Sequence, residues 1–267
     1  MNILENKFYN EQPFLTAKKI LDGRYLKTKE YIKEHNVKTC ILTFCKDLET
    51  VLQSISNKVI KLDAFLKAGE DEHYVYAIGN IIFAVPFVGS ATAAFEMEDL
   101  ASIGIKNFIA CGSAGLIDPT FDQSKFLVVK KAFRDEGTSY HYANENIEAK
   151  TSNSLTKTIE NTLKKLNFPY EIGSVWTTDG FYRETPSSIE YYKSLGAKCV
   201  DMDCSAWCIV AEKLNLNFAQ FLYFSDSVQE NNWDFVGTTD SRIETKALIT
   251  KIAYQVALNF KEEINGL

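Results

Sequence analysis

VWTTDGFYRETPSSIEYYKSLGAKCVDMD, residues 175–203, holds two apolar runs that each stop at a turn or an acidic pair. Residues 172–178 are β-rich and end at Asp179-Gly180, a turn pair that leaves Phe181, Tyr182 and Arg183 just past a strand end. Residues 197–200 form a second short apolar run, followed at once by Asp201-Met202-Asp203 and then by helical spacing. In open α/β sheets, ligands bind outside the carboxyl ends of strands. Two such ends this close in the chain nominate a small-molecule site.

Outward from this stretch, strand patterns alternate with helix patterns. Toward the N-terminus the strands are residues 38–44 (KTCILTF), 58–66, 74–77, 81–88, 105–110 and 126–133, with helical spacing at 47–55, from the small-residue run GSATAA (89–94) to about 103, and at 152–166. Gly79-Asn80 marks a hairpin, and the 105–110 run ends in Cys111-Gly112-Ser113-Ala114-Gly115. Toward the C-terminus come helices at 185–195 and 204–214, a strand at 218–224 and a terminal helix at 242–264. The alternation predicts a three-layer α/β domain with a mixed, mostly parallel sheet. Residues 1–37 read as an N-terminal helical extension and 38–267 as the main domain.

Composition narrows the function classes. The chain has 267 residues, 46% hydrophobic and 24% charged, enough for one large α/β core. Its net charge of -6 and pI near 5.3, without a cluster of Lys and Arg, argue against nucleic-acid or anionic-membrane partners. The N-terminus lacks an apolar signal region, and no window nears the ~18 apolar residues of a spanning helix. A cytoplasmic location is therefore expected. The cysteines, Cys40, Cys45, Cys111, Cys199, Cys204 and Cys208, form no CxxC pair and sit mostly in apolar runs, as buried thiols do. Cys204 and Cys208 share a helix face, but His35, His73 and His141 are scattered, so no metal site is expected.

Five segments carry a resemblance in a fixed order: IACGSAG (109–115), DEGTSYHY (135–142), TTDGFYRET (177–185), VDMDCSA (200–206) and Ser225-Asp226. From Ile41 to the C-terminus, the chain resembles the nucleoside phosphorylase/nucleosidase superfamily. The resemblance implies one three-layer α/β domain around a mixed, partly barrel-like central sheet flanked by helices. It implies homodimers or hexamers built as trimers of dimers, with active sites near the dimer contact. It also implies cleavage of a nucleoside's N-glycosidic bond, in its phosphorolytic form to free base and pentose 1-phosphate, with phosphate as co-substrate and no cofactor. A hydrolytic nucleosidase and a nucleoside-binding protein without turnover are the rival readings.

The chemistry requires a ribose clamp, a proton donor for the departing base and a nucleophile. By the resemblance, Met202 packs on the sugar and Asp203 accepts its hydroxyls, although the family has Glu-Met-Glu where this chain has Asp-Met-Asp. Asp203 could instead N-cap the following helix. Asp226 matches a catalytic acid for the base, or is a turn residue. Phe181 matches the aromatic that stacks on the base, and Arg183 could hydrogen-bond a base carbonyl, an anion or Glu184. Gly112 and Ser113, faced by Ser90, match the loop that holds phosphate or water.

The phosphate arginines of the family are missing. Ala110 stands before the Gly-Ser pair, TFCKDLE replaces the Gly-Asp-Pro-x-x-Arg segment, and no arginine occurs between Lys58 and Val88. Backbone amides, Ser90, Ser113 and a relocated Arg134 or Arg183 are the remaining anion ligands. The alternative is water activated by Glu49. Tyr140, His141 and Tyr142 flank the site or pack.

Overall fold

The computed structural model describes residues 4–5, 7–68, 71–229, 232–235 and 239–260. In chain order its elements are α1 (Ala17–Ile20), α2 (Leu26–Glu34), β1 (Thr39–Thr43), α3 (Leu48–Ile55), β2 (Ile60–Ala68), β3 (Asp71–Ile78), β4 (Ile81–Ala84), α4 (Ser90–Ser102), β5 (Asn107–Leu116), β6 (Phe126–Asp135), β7 (Ala149–Lys150), α5 (Asn153–Lys165), β8 (Tyr170–Thr178), α6 (Pro186–Ser194), β9 (Ala197–Asp201), α7 (Cys204–Lys213), β10 (Asn217–Gln229), β11 (Asn232–Phe235) and α8 (Thr239–Asn259).

Alternation along the central strands builds the layers. In β1, Cys40 and Leu42 enter one apolar cluster while Ile41 enters another; in β5, Phe108 and Ala110 face the first and Ile109 and Cys111 the second. Successive strand residues point to opposite faces, so a run apolar at every position needs cover on both sides. α4 and α7 supply Met97, Leu100 and Trp207 to the first layer, and α3, α5 and α8 supply Leu52, Ile159 and Ile252 to the second. Leu21, Tyr31 and Ile32 of the N-terminal segment belong to the first cluster, and the Tyr31 hydroxyl donates to the Gly79 carbonyl at 2.8 Å.

The sheet closes on itself in part. β10 pairs in parallel with β5 and antiparallel with β6; β6 pairs with β8, β8 with β9, and β9 with β5. These five strands make a ring, and β1, β4, β3 and β2 extend from β5 as a wing. The barrel-like mixed sheet agrees with the expectation from sequence. Parallel pairing dominates less than expected, because β2, β3 and β4 form an antiparallel meander and β9 runs antiparallel to β5.

β5 and β10 outrun their apolar patterns the furthest. β5 continues through Cys111-Gly112-Ser113-Ala114-Gly115, which read as a loop, because β10 pairs with it over that whole length. Gly112 is required there: a Cβ would lie 2.7 Å from the Phe44 ring. β10 likewise continues past Phe224, with a register shift between Phe224 and Asp226. Such a bulge re-aims side chains. The expected end of the last helix at 264 lies outside the described residues, and α8 is described to Asn259.

Candidate active site

A cavity of about 500 Å³ opens at the carboxyl ends of β1, β5, β9 and β10. It is lined by Ser113, Ala114 and Gly115 of β5, by Ser225 and Asp226 of β10 with Asp201, Met202 and Asp203 at and just past the end of β9 on one side, and by Phe181 and Glu184 from the segment after β8. Phe44, Lys46 and Lys246 line the β1 side, with His73, Val85 and Phe87 from the meander completing the wall. The register explains the convergence. Gly115 pairs with both Val200 and Asp226, so one strand end of β5 brings the β9 and β10 loops together.

The carboxylates of the β9 loop divide their tasks. Asp201 accepts the Thr177 hydroxyl at 2.7 Å and the Cys204 amide at 3.1 Å, so Asp201 anchors the start of α7. Asp203 occupies the N-cap position without a side-chain cap bond. Its Oδ1 accepts the Gly89 amide at 2.6 Å. Gly89 holds φ +119, open to few residues but glycine, and that geometry turns its N–H toward Asp203 at the start of α4. The cap reading of Asp203 is thereby replaced by a cross-link between two loops. Burial, reinforced by the charge of Asp201, holds the Asp203 carboxyl above the ordinary range, with the Gly89 bond opposing.

Beside them, at the end of β10, Ser225 donates to Asp226 Oδ1 at 2.7 Å. Glu184 is pushed up to about 7 by burial and by the nearby Asp226 charge. His73 stacks on Phe87 with ring centroids 4.1 Å apart, and its Nδ1–H donates to the Val85 carbonyl at 2.7 Å. The wall also rests on Glu96, buried on α4, whose Oε1 accepts the Phe87 amide at 2.8 Å.

Of the residues singled out from sequence, Phe181, Met202, Asp203, Ser113 and Asp226 share this cavity. The others take different places. Ser90 is buried and donates its hydroxyl to the Met202 carbonyl at 2.8 Å, so it secures the loop beneath the cavity. Gly112 faces the Phe44 ring, one residue behind the lining. Arg183 ends a single 3-10 turn (Phe181–Arg183), is exposed and does not line the cavity.

Arg134 is committed elsewhere. It donates from Nε to Ser139 and from its terminal nitrogens to the carbonyls of Ala143, Asn144 and Ile147, so it braces the 135–147 loop. Glu49 accepts the Tyr76 hydroxyl at 3.0 Å and pairs with Lys61 at 3.6 Å, away from the cavity. The water-activating base read from sequence is therefore not supplied by Glu49. His141 meets Lys7 at 3.0 Å, Tyr142 donates to Glu98, and Tyr140 packs under Arg134, all outside this cavity.

The sequence reading missed Lys46, Lys246, Glu184 and His73 as lining residues. Two of them had a signal, Lys46 as the one cation of the TFCKDLE segment and Glu184 as part of the 177–185 segment. Among the described residues, no three His, Cys, Asp or Glu side chains converge as a metal site, and no helix is long and apolar enough to cross a membrane.

The protein is thus an α/β barrel with a wing, carrying a carboxylate-rich cavity at its strand ends. The sequence pattern of the phosphorylase superfamily matches residues 48–256, and the chain belongs to that superfamily. It is 32% identical over 116 residues to a uridine phosphorylase of Thermococcus kodakarensis, a match spanning 43% of this chain and 42% of that relative. It is 26% identical over 259 residues to uncharacterized protein R802 of Acanthamoeba polyphaga mimivirus, covering 92% and 99% of the two chains. A guanosine phosphorylase of Halorubrum lacusprofundi is 18% identical, over 82% of this chain and 86% of its own. Among solved structures, a uridine phosphorylase from Vibrio fischeri shares the fold, with a TM-score of 0.65 and 21% identity over 83% of this chain and 88% of that one.

Proposed function

We propose that the protein cleaves the N-glycosidic bond of a nucleoside by phosphorolysis, giving free base and pentose 1-phosphate. The observation that carries this reading is the meeting, in one cavity, of Phe181, Met202, Asp203 and Asp226 from the ends of β8, β9 and β10. Membership of the phosphorylase superfamily supports it, as do the names of the related uridine and guanosine phosphorylases.

Phe181 stacks on the base, exposed enough to receive it from solvent. Met202 packs on the sugar, and Asp203 accepts the ribose hydroxyls while Gly89 holds its other side. As the C1′–N bond breaks, its electron pair remains with the base, and Asp226, entering the step with a proton on its carboxyl, gives that proton to a base nitrogen and is left as the carboxylate. A phosphate oxygen supplies the electron pair of the new C1′–O bond. The proton donor suits a base with a basic ring nitrogen near the bond, such as a purine.

Incubation of a nucleoside panel with and without phosphate, followed by chromatography, tests the reading. Base release that needs phosphate and yields ribose 1-phosphate is the expected result. Free ribose in the absence of phosphate would convert the enzyme to a nucleosidase, and no release from any nucleoside would favour a binding protein.

A further inference from the structure

The missing arginines leave the nucleophile without its usual cationic grip, and the cavity contains two cations to which the sequence reading gave no role. Lys46 leaves the end of β1, and Lys246 comes from α8. Lys246 is fixed there by tertiary structure. One turn further along α8, the Thr250 hydroxyl meets the Thr43 hydroxyl at 2.7 Å, both buried, which seats this face of the helix over the end of β1. Lys246 is also close enough to Cys45, the neighbour of Lys46, for its charge to act on that thiol. We infer that Lys46 and Lys246, with the Ser113 hydroxyl, form the subsite for a tetrahedral oxyanion, inorganic phosphate, in place of the arginines. The inference rests on the phosphorolytic reading above.

Three observations support it. First, charge is segregated across the cavity. Asp201, Asp203, Glu184 and Asp226 come from the β9, β8 and β10 side, whereas both lysines come from the β1 side, and Ser113 lies between them on β5. An anion entering beside the lysines is attracted there and kept from the carboxylates by their charge.

Second, both ammonium groups are at liberty to bind. Among the described residues, neither Lys46 nor Lys246 is held in a side-chain hydrogen bond or ion pair, whereas Lys61, Lys125, Lys150, Lys157, Lys193 and Lys198 are all paired with carboxylates. Third, no arginine competes for the role among the described side chains. Arg134 is spent on the 135–147 loop, Arg183 is exposed outside the cavity, and Arg24 acts on Asp99 of α4.

Lysine is a serviceable substitute with a recognisable difference. It binds phosphate as a point charge with three donors, while arginine offers a planar fork that fixes orientation. Two lysines from separate elements, together with a hydroxyl, restore the convergence that one fork would supply.

The test uses Lys46→Met, Lys246→Met and their arginine counterparts, with inorganic phosphate as the probe. Binding of phosphate to the whole chain is followed by calorimetry, and initial rates are measured against phosphate and against nucleoside separately. Each Met variant is expected to raise the KM for phosphate by about 10–100-fold, the effect of losing a charged hydrogen bond, while the nucleoside KM stays within about 2-fold. The arginine variants should recover most of the loss. Lys46 is exposed, so Lys46→Met is the variant whose fold is least at risk.

If nucleoside cleavage proves not to need phosphate, calorimetry still decides the subsite. Phosphate bound by the natural chain and lost in the Met variants would uphold the subsite while the reaction assignment fails. Unchanged phosphate affinity in both Met variants, or equal losses for phosphate and nucleoside, would overturn it.

Discussion

Glu96 allows a prediction whose size follows from its surroundings. The side chain is 1% exposed on α4; Oε1 accepts the Phe87 amide, and Oε2 is buried without a hydrogen-bond donor or acceptor. Burial pushes its carboxyl from 4.5 up to about 9, opposed by the Phe87 bond and reinforced by the charges of Asp203 and Asp99. In the unfolded chain Glu96 loses its proton near its ordinary value. Between that pH and about 9, the folded state therefore holds a proton that the unfolded state has released, and stability falls as pH rises by about 1.4 kcal/mol per unit.

Glu96→Gln removes this dependence, because the amide has no proton to lose. The amide adds its own buried donors and a fixed cost, but that cost is the same at every pH. The stability difference between the Glu96→Gln variant and the natural chain should therefore shift in favour of the variant by roughly 4 kcal/mol from pH 5 to pH 8. Urea unfolding followed by tryptophan fluorescence at several pH values measures it, and the slopes contributed by Asp203 and Asp99 largely cancel in the difference. Parallel stability curves for the two proteins would refute the argument and mean that Glu96 ionises in the fold without cost.

Asp226→Asn should lower turnover by about 10²–10⁴-fold and leave nucleoside binding within a few-fold; unchanged turnover would remove Asp226 from proton transfer. Asp203→Asn keeps an acceptor for Gly89 but removes the charge, and should weaken nucleoside binding by about 10–100-fold while free-base binding holds, with equal losses in calorimetry excluding the ribose role. Since ribose hydroxyls favour the ionised form of Asp203, whose titration is raised, nucleoside binding should release part of a proton near neutral pH. Calorimetry in buffers of different ionisation enthalpy reads this, and identical apparent enthalpies would contradict it. Phe181→Ala should cost about 2–10-fold in base affinity, the worth of one aromatic stack, with no effect on phosphate.

The parts of the site that could be read from sequence are those that follow an apolar run directly. Met202 and Asp203 after residues 197–200, Phe181 after 172–178 and Asp226 after 218–224 all lie where a strand pattern stops, and strand ends gather at one edge of an α/β sheet. Exact strand lengths were not legible, since β5 runs through small residues that resemble a loop and is held as a strand by long-range pairing with β10 and, at its end, β9. Nor could local pattern distinguish the two roles in Asp-Met-Asp. The cap bond goes to Asp201 and the loop cross-link to Asp203, and that choice depends on Gly89, 114 positions away.

Lys246 is the extreme case. It stands in an ordinary helical sequence, and its approach to the cavity depends on a contact between residues 207 positions apart. A cation needed at a site can be supplied by any element that packs against it, so the loss of arginines from the strand-end motifs does not by itself argue against an anion site. What it requires is that positive charge reappear on the same side of the cavity, opposite the carboxylates. Lys46 and Lys246 meet that geometric condition, whereas Arg134 and Arg183, the replacements that sequence proximity suggested, do not.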